Sequence, residues 1–158
     1  MESVVTFSQV ISSLTPEDRS VALGLHEAAL ALGYAPKIAA VGKKPDDWKC
    51  EYVAAKPKRT LCILRVSGRK FSLRAKLAHL ADYLDVLERC TERCLSSMLA
   101  SSKRCGGHGG CAGPVAFQLS GVEYSICRHS FLFENILSGD VEGIRRLLTR
   151  EAEITANA

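Results

Sequence analysis

The sequence predicts one α+β domain: helices at the N-terminus packed on an antiparallel β-meander, a long central helix, then a cysteine-linked C-terminal hairpin and a terminal helix. Three observations predict it. Apolar residues recur at helical spacing early and late in the chain. Between them, several short segments alternate polar and apolar residues with turn signals at their ends. The third is size, since 158 residues suit a single core and leave little room for two. A single domain over residues 1–158 is therefore expected, with a cysteine-rich subregion over residues 90–129.

The first strong helix starts at Thr15. Thr15-Pro16-Glu17-Asp18 offers a capping hydroxyl, a proline at the first helical position and acids where the helix dipole favours them. Val21, Leu25, Ala28 and Leu32 continue one apolar stripe, and Gly33 ends it. A shorter helix is expected before it, over residues 7–12. Strands are expected over residues 37–41 and 48–55. A third, over residues 60–66, is apolar enough to suggest burial on both faces. A fourth, over residues 70–76, places Phe71, Leu73 and Ala75 on one side and Lys70, Ser72, Arg74 and Lys76 on the other.

Leu77, Leu80, Leu84, Leu87, Cys94 and Met98 then suggest one helix over residues 76–101. A glycine-rich stretch interrupts the pattern at residues 106–113. Residues 114–120 and 122–128, joined near Gly121, read as a hairpin. Asp140 is placed to cap a last amphipathic helix through Val141, Ile144, Leu147 and Leu148, and residues 154–158 read as frayed.

Composition narrows the function classes. Apolar residues make up 47% and charged residues 24%, as in ordinary globular chains, which argues against disorder. A net charge of +4 is far below that of a dedicated DNA-binding domain. Residues 1–10 lack a basic stretch followed by an apolar run, so no secretory signal is expected. No apolar stretch approaches the roughly 20 residues of a membrane span. The expected compartment is cytoplasmic. There, seven cysteines point to metal or reactive thiols rather than to disulfides, and an odd number cannot all pair within one chain.

Five of the seven lie close together, at Cys90, Cys94, Cys105, Cys111 and Cys127, with His108 and His129 in the same segment. A tetrahedral zinc ion takes four soft or borderline donors at about 2.0–2.3 Å. Cys105-Gly106-Gly107-His108-Gly109-Gly110-Cys111 supplies two thiols on a chain free to turn sharply. Cys94, Cys105, Cys111 and Cys127 are the expected zinc ligands, with Cys90, His108 and His129 as alternatives. Ligand softness favours zinc and leaves iron open. The spacing lacks paired Cys-x-x-Cys knuckles, and Cys94 also suits a buried small apolar position. Cys50 and Cys62 read as inert core thiols, and His26 and His79 as surface or internally satisfied side chains.

Cys94, Cys105 and Cys111, then residues 117–128 (Phe-Gln-Leu-Ser-Gly-Val-Glu-Tyr-Ser-Ile-Cys-Arg) and Phe131-Leu132-Phe133, resemble the C-terminal half of a family of small uncharacterised bacterial proteins. In that family cysteines precede a strand–Gly–strand hairpin ending in Tyr-x-x-Cys, and an aromatic-rich strand follows. The resemblance covers the last third of the chain. Some members carry a further cysteine where this chain has Ser130 or Phe131; if that cysteine is a ligand, Cys90, Cys94 or His129 would complete the set here. The resemblance implies the cysteine site and no activity.

Eight Lys or Arg residues and no acid lie between residues 56 and 76. Lys70, Arg74 and Lys76 could present an anion-binding face. A solvated sheet face is the preferred reading, because the strip has no neighbouring aromatics on its exposed side to stack bases, which argues against a nucleic-acid partner; Tyr52 and Trp48 could supply one aromatic wall if the strands pair suitably. A small anionic ligand or a protein remains open as partner. No Gly-x-Ser-x-Gly elbow, phosphate-cradling loop or His-Glu-x-x-His is present. Cys127 and His129, two apart on an expected strand, are the one nucleophile–base pairing available, without a third orienting group. The preferred reading is a non-enzymatic domain with a structural zinc site. The alternatives are a thiol-based redox or metal-sensing protein, or an accessory protein that binds phosphate or nucleic acid.

Overall fold

The computed structural model describes residues 4–55, 58–101, 115–126 and 131–157. Two helices open it, α1 (Phe7–Val10) and α2 (Pro16–Ala31). Thr6 caps α1 in a reciprocal box with Gln9, and the Thr15 hydroxyl accepts from the Asp18 amide at the start of α2. The chain leaves α2 through Gly33 at φ +86°, a left-handed backbone that glycine adopts without steric cost.

Four strands follow: β1 (Ala35–Ala40), β2 (Asp47–Ala54), β3 (Arg59–Ser67) and β4 (Lys70–Ala75). They pair antiparallel in chain order, and β7 (Phe131–Glu134) adds on beyond β4. The register aligns Ile38, Cys50, Leu64, Leu73 and Phe133 in one cross-strand row, and Tyr52, Cys62, Ala75 and Phe131 in the next. Except for half-buried Ile38, these side chains are buried in the same cluster as Val21 and Leu25 of α2. They share it with Ile144, Leu147 and Leu148 of the last helix, α5 (Val141–Ala156). A two-layer α+β arrangement results, with the core between one sheet face and the helices.

The third strand departs from its expected burial. Its pairing with β2 slips between Tyr52 and Val53, so that Tyr52 faces Cys62 while Val53 faces Thr60. The extra residue is Leu61, and this bulge lets consecutive Leu61 and Cys62 both be buried. Beyond it Leu64 and Val66 point inward while Arg65 and Ser67 are exposed, so the strand is buried on one face only.

The expected helix over residues 76–101 is broken. A 3-10 turn (Leu80–Asp82), α3 (Leu84–Glu88) and α4 (Glu92–Ser101) take its place. Two polar interactions explain the breaks. Thr91 caps α4, its hydroxyl accepting from the Cys94 amide at 3.1 Å, in a role that interrupts a continuous helix. Upstream, the amides of Ala78 and His79 donate to the Glu151 carboxylate of α5 at 3.0 and 3.2 Å. Leu77, Leu80, Leu87 and Met98 are buried all the same. Ser97 of α4 meets the outer edge of β7, bonding the Leu132 carbonyl and the Glu134 amide, which covers a strand edge that would otherwise be open.

The hairpin is separate from the main sheet: β5 (Val115–Leu119) pairs only with β6 (Val122–Ile126). Ser120 and Gly121 both have positive φ, 51° and 79°, the pattern of a two-residue primed turn that matches strand twist. Phe117 and Leu119 are buried. The last helix continues to Ala156, past the residues expected to fray, with Thr155 bonded to the Glu151 carbonyl and to Arg59.

Glu151 carries the most demanding constraint, a carboxylate with 0% exposure. It accepts from Arg59 Nη2 at 2.6 Å, from the Ala78 and His79 amides, from His79 Nδ1 at 3.0 Å and from the Tyr83 hydroxyl at 3.1 Å. Because removing one partner of a buried pair strands the other, Glu151→Ala is expected to cost about 3–5 kcal/mol. Urea denaturation measures it, and a loss below about 1 kcal/mol would place the carboxylate among ordinary surface pairs.

Candidate functional site

Cys90 and Cys94 sit at the junction of α3, α4 and α5. Arg89 ends α3 and Thr91 caps α4, so Cys90 lies just ahead of the cap and Cys94 in the first turn. Cys94 is buried, Cys90 is half-buried, and neither is in a disulfide. The two thiols lie one turn apart and are close enough to shift each other's ionisation. The Cys90 thiol also reaches the Val86 carbonyl at 3.5 Å. The first turn of α5 forms the facing wall, where a methyl built on Gly143 would lie 3.5 Å from Cys90 Sγ.

Their proximity polarises the pair. Cys94 favours the thiolate of Cys90 and outweighs burial, with Arg146 adding attraction, so the Cys90 thiol is more acidic than an ordinary cysteine. Cys94 moves the other way, pushed up by Cys90, by burial and by the nearby Asp140 carboxylate. Of the two, Cys90 is therefore the thiol that gives up its proton first.

Asp140 holds the junction together. It was the expected cap of α5, yet its side chain does not bond to that helix. Its carboxylate accepts instead from Thr91 Oγ1 at 2.6 Å, from the Leu137 amide at 2.9 Å and from both Nε and Nη2 of Arg93 at 3.1–3.2 Å. The side chain is nearly buried, at 4% exposure, and Arg93 half-exposed. The clasp fixes the start of α4, and with it Cys94, against the start of α5.

Of the other expected ligands, Cys105, Cys111, Cys127, His108 and His129 lie outside the described residues, as does the pairing of Cys127 with His129. Among the described residues no group of three or more His, Cys, Asp or Glu could hold a metal ion; the described part supplies two adjacent thiols. Cys50 and Cys62 are buried in the sheet core, and burial pushes both thiols up, in keeping with inert core residues. His26 is internally satisfied: it stacks on Phe7 with ring centres 3.8 Å apart and bonds the Tyr52 hydroxyl at 2.6 Å. His79 is held by Glu151.

Lys70 and Arg74 share the open face of β4, and Lys76 follows the end of the strand. Pairing places acids on that same face. The register sets Glu51 of β2 across from Ile63, itself the neighbour of Arg74, and sets Glu134 of β7 beside Ser72. Asp47 pairs with Arg65 at 3.3 Å, and Glu51 takes the Thr60 hydroxyl and Lys49. The strip that is purely basic in sequence is therefore part of a face of mixed charge. Sequence reading missed both Glu151 and the role of Asp140. The signal for Glu151 was present: at one and two turns past Leu147 and Ile144, it continues the apolar stripe of α5 with a carboxylate.

No protein-family model matches this chain, and comparison with curated proteins and with solved structures finds no match either. Among the described residues no helix is long and apolar enough to cross a membrane.

The clasp makes stability depend on acid pH in a defined direction. Burial works against the Asp140 carboxylate, but Arg93, Thr91 and the Leu137 amide together hold its pKa below the usual value. A carboxyl depressed on folding stabilises above its unfolded pKa, and this contribution is lost as pH falls through the folded value. Asp140→Asn is expected to be less stable than the parent near neutrality, with the gap closing below about pH 4. Urea midpoints across that range test it; a gap independent of pH would contradict the charged clasp.

Proposed function

We propose that the chain is a non-enzymatic domain whose clustered thiols hold a structural zinc ion. The single observation that carries this reading is the placement of Cys90 and Cys94 one turn apart at the clasped start of α4, near enough to shift each other's ionisation. A zinc site needs thiolates brought together at low entropic cost. Here two are already adjacent, one of them acidified, on backbone held by Thr91 and Asp140. Cys105 and Cys111 follow α4 in the sequence, and Cys127 follows β6. Four of these five thiols would suffice, and the ion would fasten the junction to the hairpin that β5 and β6 form.

A second reading follows from the same placement. Two neighbouring thiols can exchange with a disulfide-bearing partner. The Cys90 thiolate attacks one sulfur of the partner's disulfide and the other leaves as thiolate. Cys94 then displaces the mixed disulfide, leaving a Cys90–Cys94 bond and a partner reduced to two thiols.

Elemental analysis of the protein purified without chelator, paired with titration of native thiols, separates the readings. The zinc reading expects about one zinc per chain and four thiols protected until a chelator is added. Absence of metal with all seven thiols of the chain reacting freely would overturn it. Absence of metal with two thiols missing until reduction would favour exchange chemistry.

A further inference from the structure

Away from the thiols, three buried tyrosines differ in one respect. The Tyr52 hydroxyl bonds His26 and the Tyr83 hydroxyl bonds Glu151. Tyr34 is only 7% exposed, yet its hydroxyl has no hydrogen-bond partner among the described residues. Buried phenol groups ordinarily find one. An unpartnered donor at such depth leaves a bond for water or a ligand to make.

Tyr34 lines a cavity of about 340 Å³ between the end of α2, the end of β2 and the last turns of α5, at the lower end of the range for small-molecule sites. Leu32, Ala54, Ala152 and Ala156 give it apolar walls, and Arg59 is the one charged lining residue among those described. Arg59 spends one N–H on Thr155 and one on Glu151. A guanidinium carries five, so donors remain. The acceptors nearby are used up: Glu151 receives five hydrogen bonds, and the Thr155 hydroxyl bonds both Arg59 and the Glu151 carbonyl. Among the described side chains the cavity therefore offers donors and no free acceptor. Burial pushes the Tyr34 phenol up, against the pull of Arg59 and with Glu151 and Cys62 adding to the rise. The hydroxyl thus keeps its proton and stays a donor.

We infer that this cavity binds a small, mainly apolar molecule through one acceptor oxygen group, a carboxylate or a carbonyl, held by the Tyr34 hydroxyl and the free N–H groups of Arg59. The site is independent of the thiols and stands or falls without them. Because Glu151 already neutralises Arg59, full negative charge on the ligand is not required, and the acceptor oxygen is the recognised feature.

Isothermal titration of the full chain with hexanoate, octanoate and their primary amides tests this. Saturable binding of the acids alone assigns a carboxylate, and binding of both series assigns any carbonyl-type acceptor. Either outcome supports the site if Tyr34→Phe weakens the affinity about five- to tenfold, the value of one hydrogen bond. Tyr34→Phe removes a hydroxyl that bonds nothing among the described residues, so its urea midpoint should stay level or rise; loss of binding then reports the ligand contact and not the fold. Ala152→Leu, which fills the cavity from α5, should abolish binding. Absence of binding by every probe, or equal affinity in Tyr34→Phe, would overturn the inference.

Discussion

A carboxylate removed entirely from water organises this fold. Desolvating an ion costs several kcal/mol even after relaxation, and Glu151 is tolerated only because five donors converge on it. Those donors come from three places: Arg59 at the start of β3, the turn after β4, and Tyr83 just before α3. One side chain of α5 therefore sets the position of the sheet's second half relative to the helix layer. It also draws the backbone at Ala78 and His79 out of helical geometry, which is why the leucines of that segment are buried from a 3-10 turn and two short helices. Arg59, held by the same bond, becomes the cationic lining of the cavity beside Tyr34.

The opposite end of α5 carries a second polar fastening. Asp140 ties Thr91, Arg93 and the Leu137 amide, and between the two acids Ile144, Leu147 and Leu148 bury the helix's apolar stripe. Apolar packing of such a stripe is permissive about sliding and rotation, whereas hydrogen-bonded carboxylates demand particular partners. The two ends thus give α5 one register on the sheet. Cys90 and Cys94 lie at the Asp140 end, on backbone fixed by a cap and a bidentate arginine. Thiols held there meet at little further entropic cost, the property a ligand pair or an exchange pair needs.

Local pattern carried the elements whose causes are local. Thr15-Pro16, Gly33 and the alternation of Phe71, Leu73 and Ala75 each report a cap, a left-handed exit and a half-buried strand within a few residues, and each is found in the structure. Features that depend on distant partners were not legible in this way. Phe131 and Phe133 belong to the main sheet by pairing with β4, far back in the chain, and neither residue's neighbourhood names that partner. The bulge at Leu61 depends on the register of β2. Thr91 and Asp140 read as a helix-interior residue and a cap, because their mutual bond spans 49 positions. The basic run before residue 76 looked uniform because the acids that share its face lie on other strands. Of the candidate site, the clustering of cysteines was plain in the sequence, and the four-residue spacing of Cys90 and Cys94 already makes them neighbours on a helix; the Thr91 cap and the Asp140 clasp that hold them depend on a distant partner and were not legible.

X-ray absorption at the zinc edge, on the full chain purified without chelator, addresses the central claim most directly, because it reads ligand atoms as well as metal. Thiolate coordination predicts a sulfur shell at about 2.3 Å, with fewer sulfurs in Cys94→Ala. No zinc edge above background, or a first shell of only nitrogen and oxygen near 2.0–2.1 Å, would contradict a thiol-held metal.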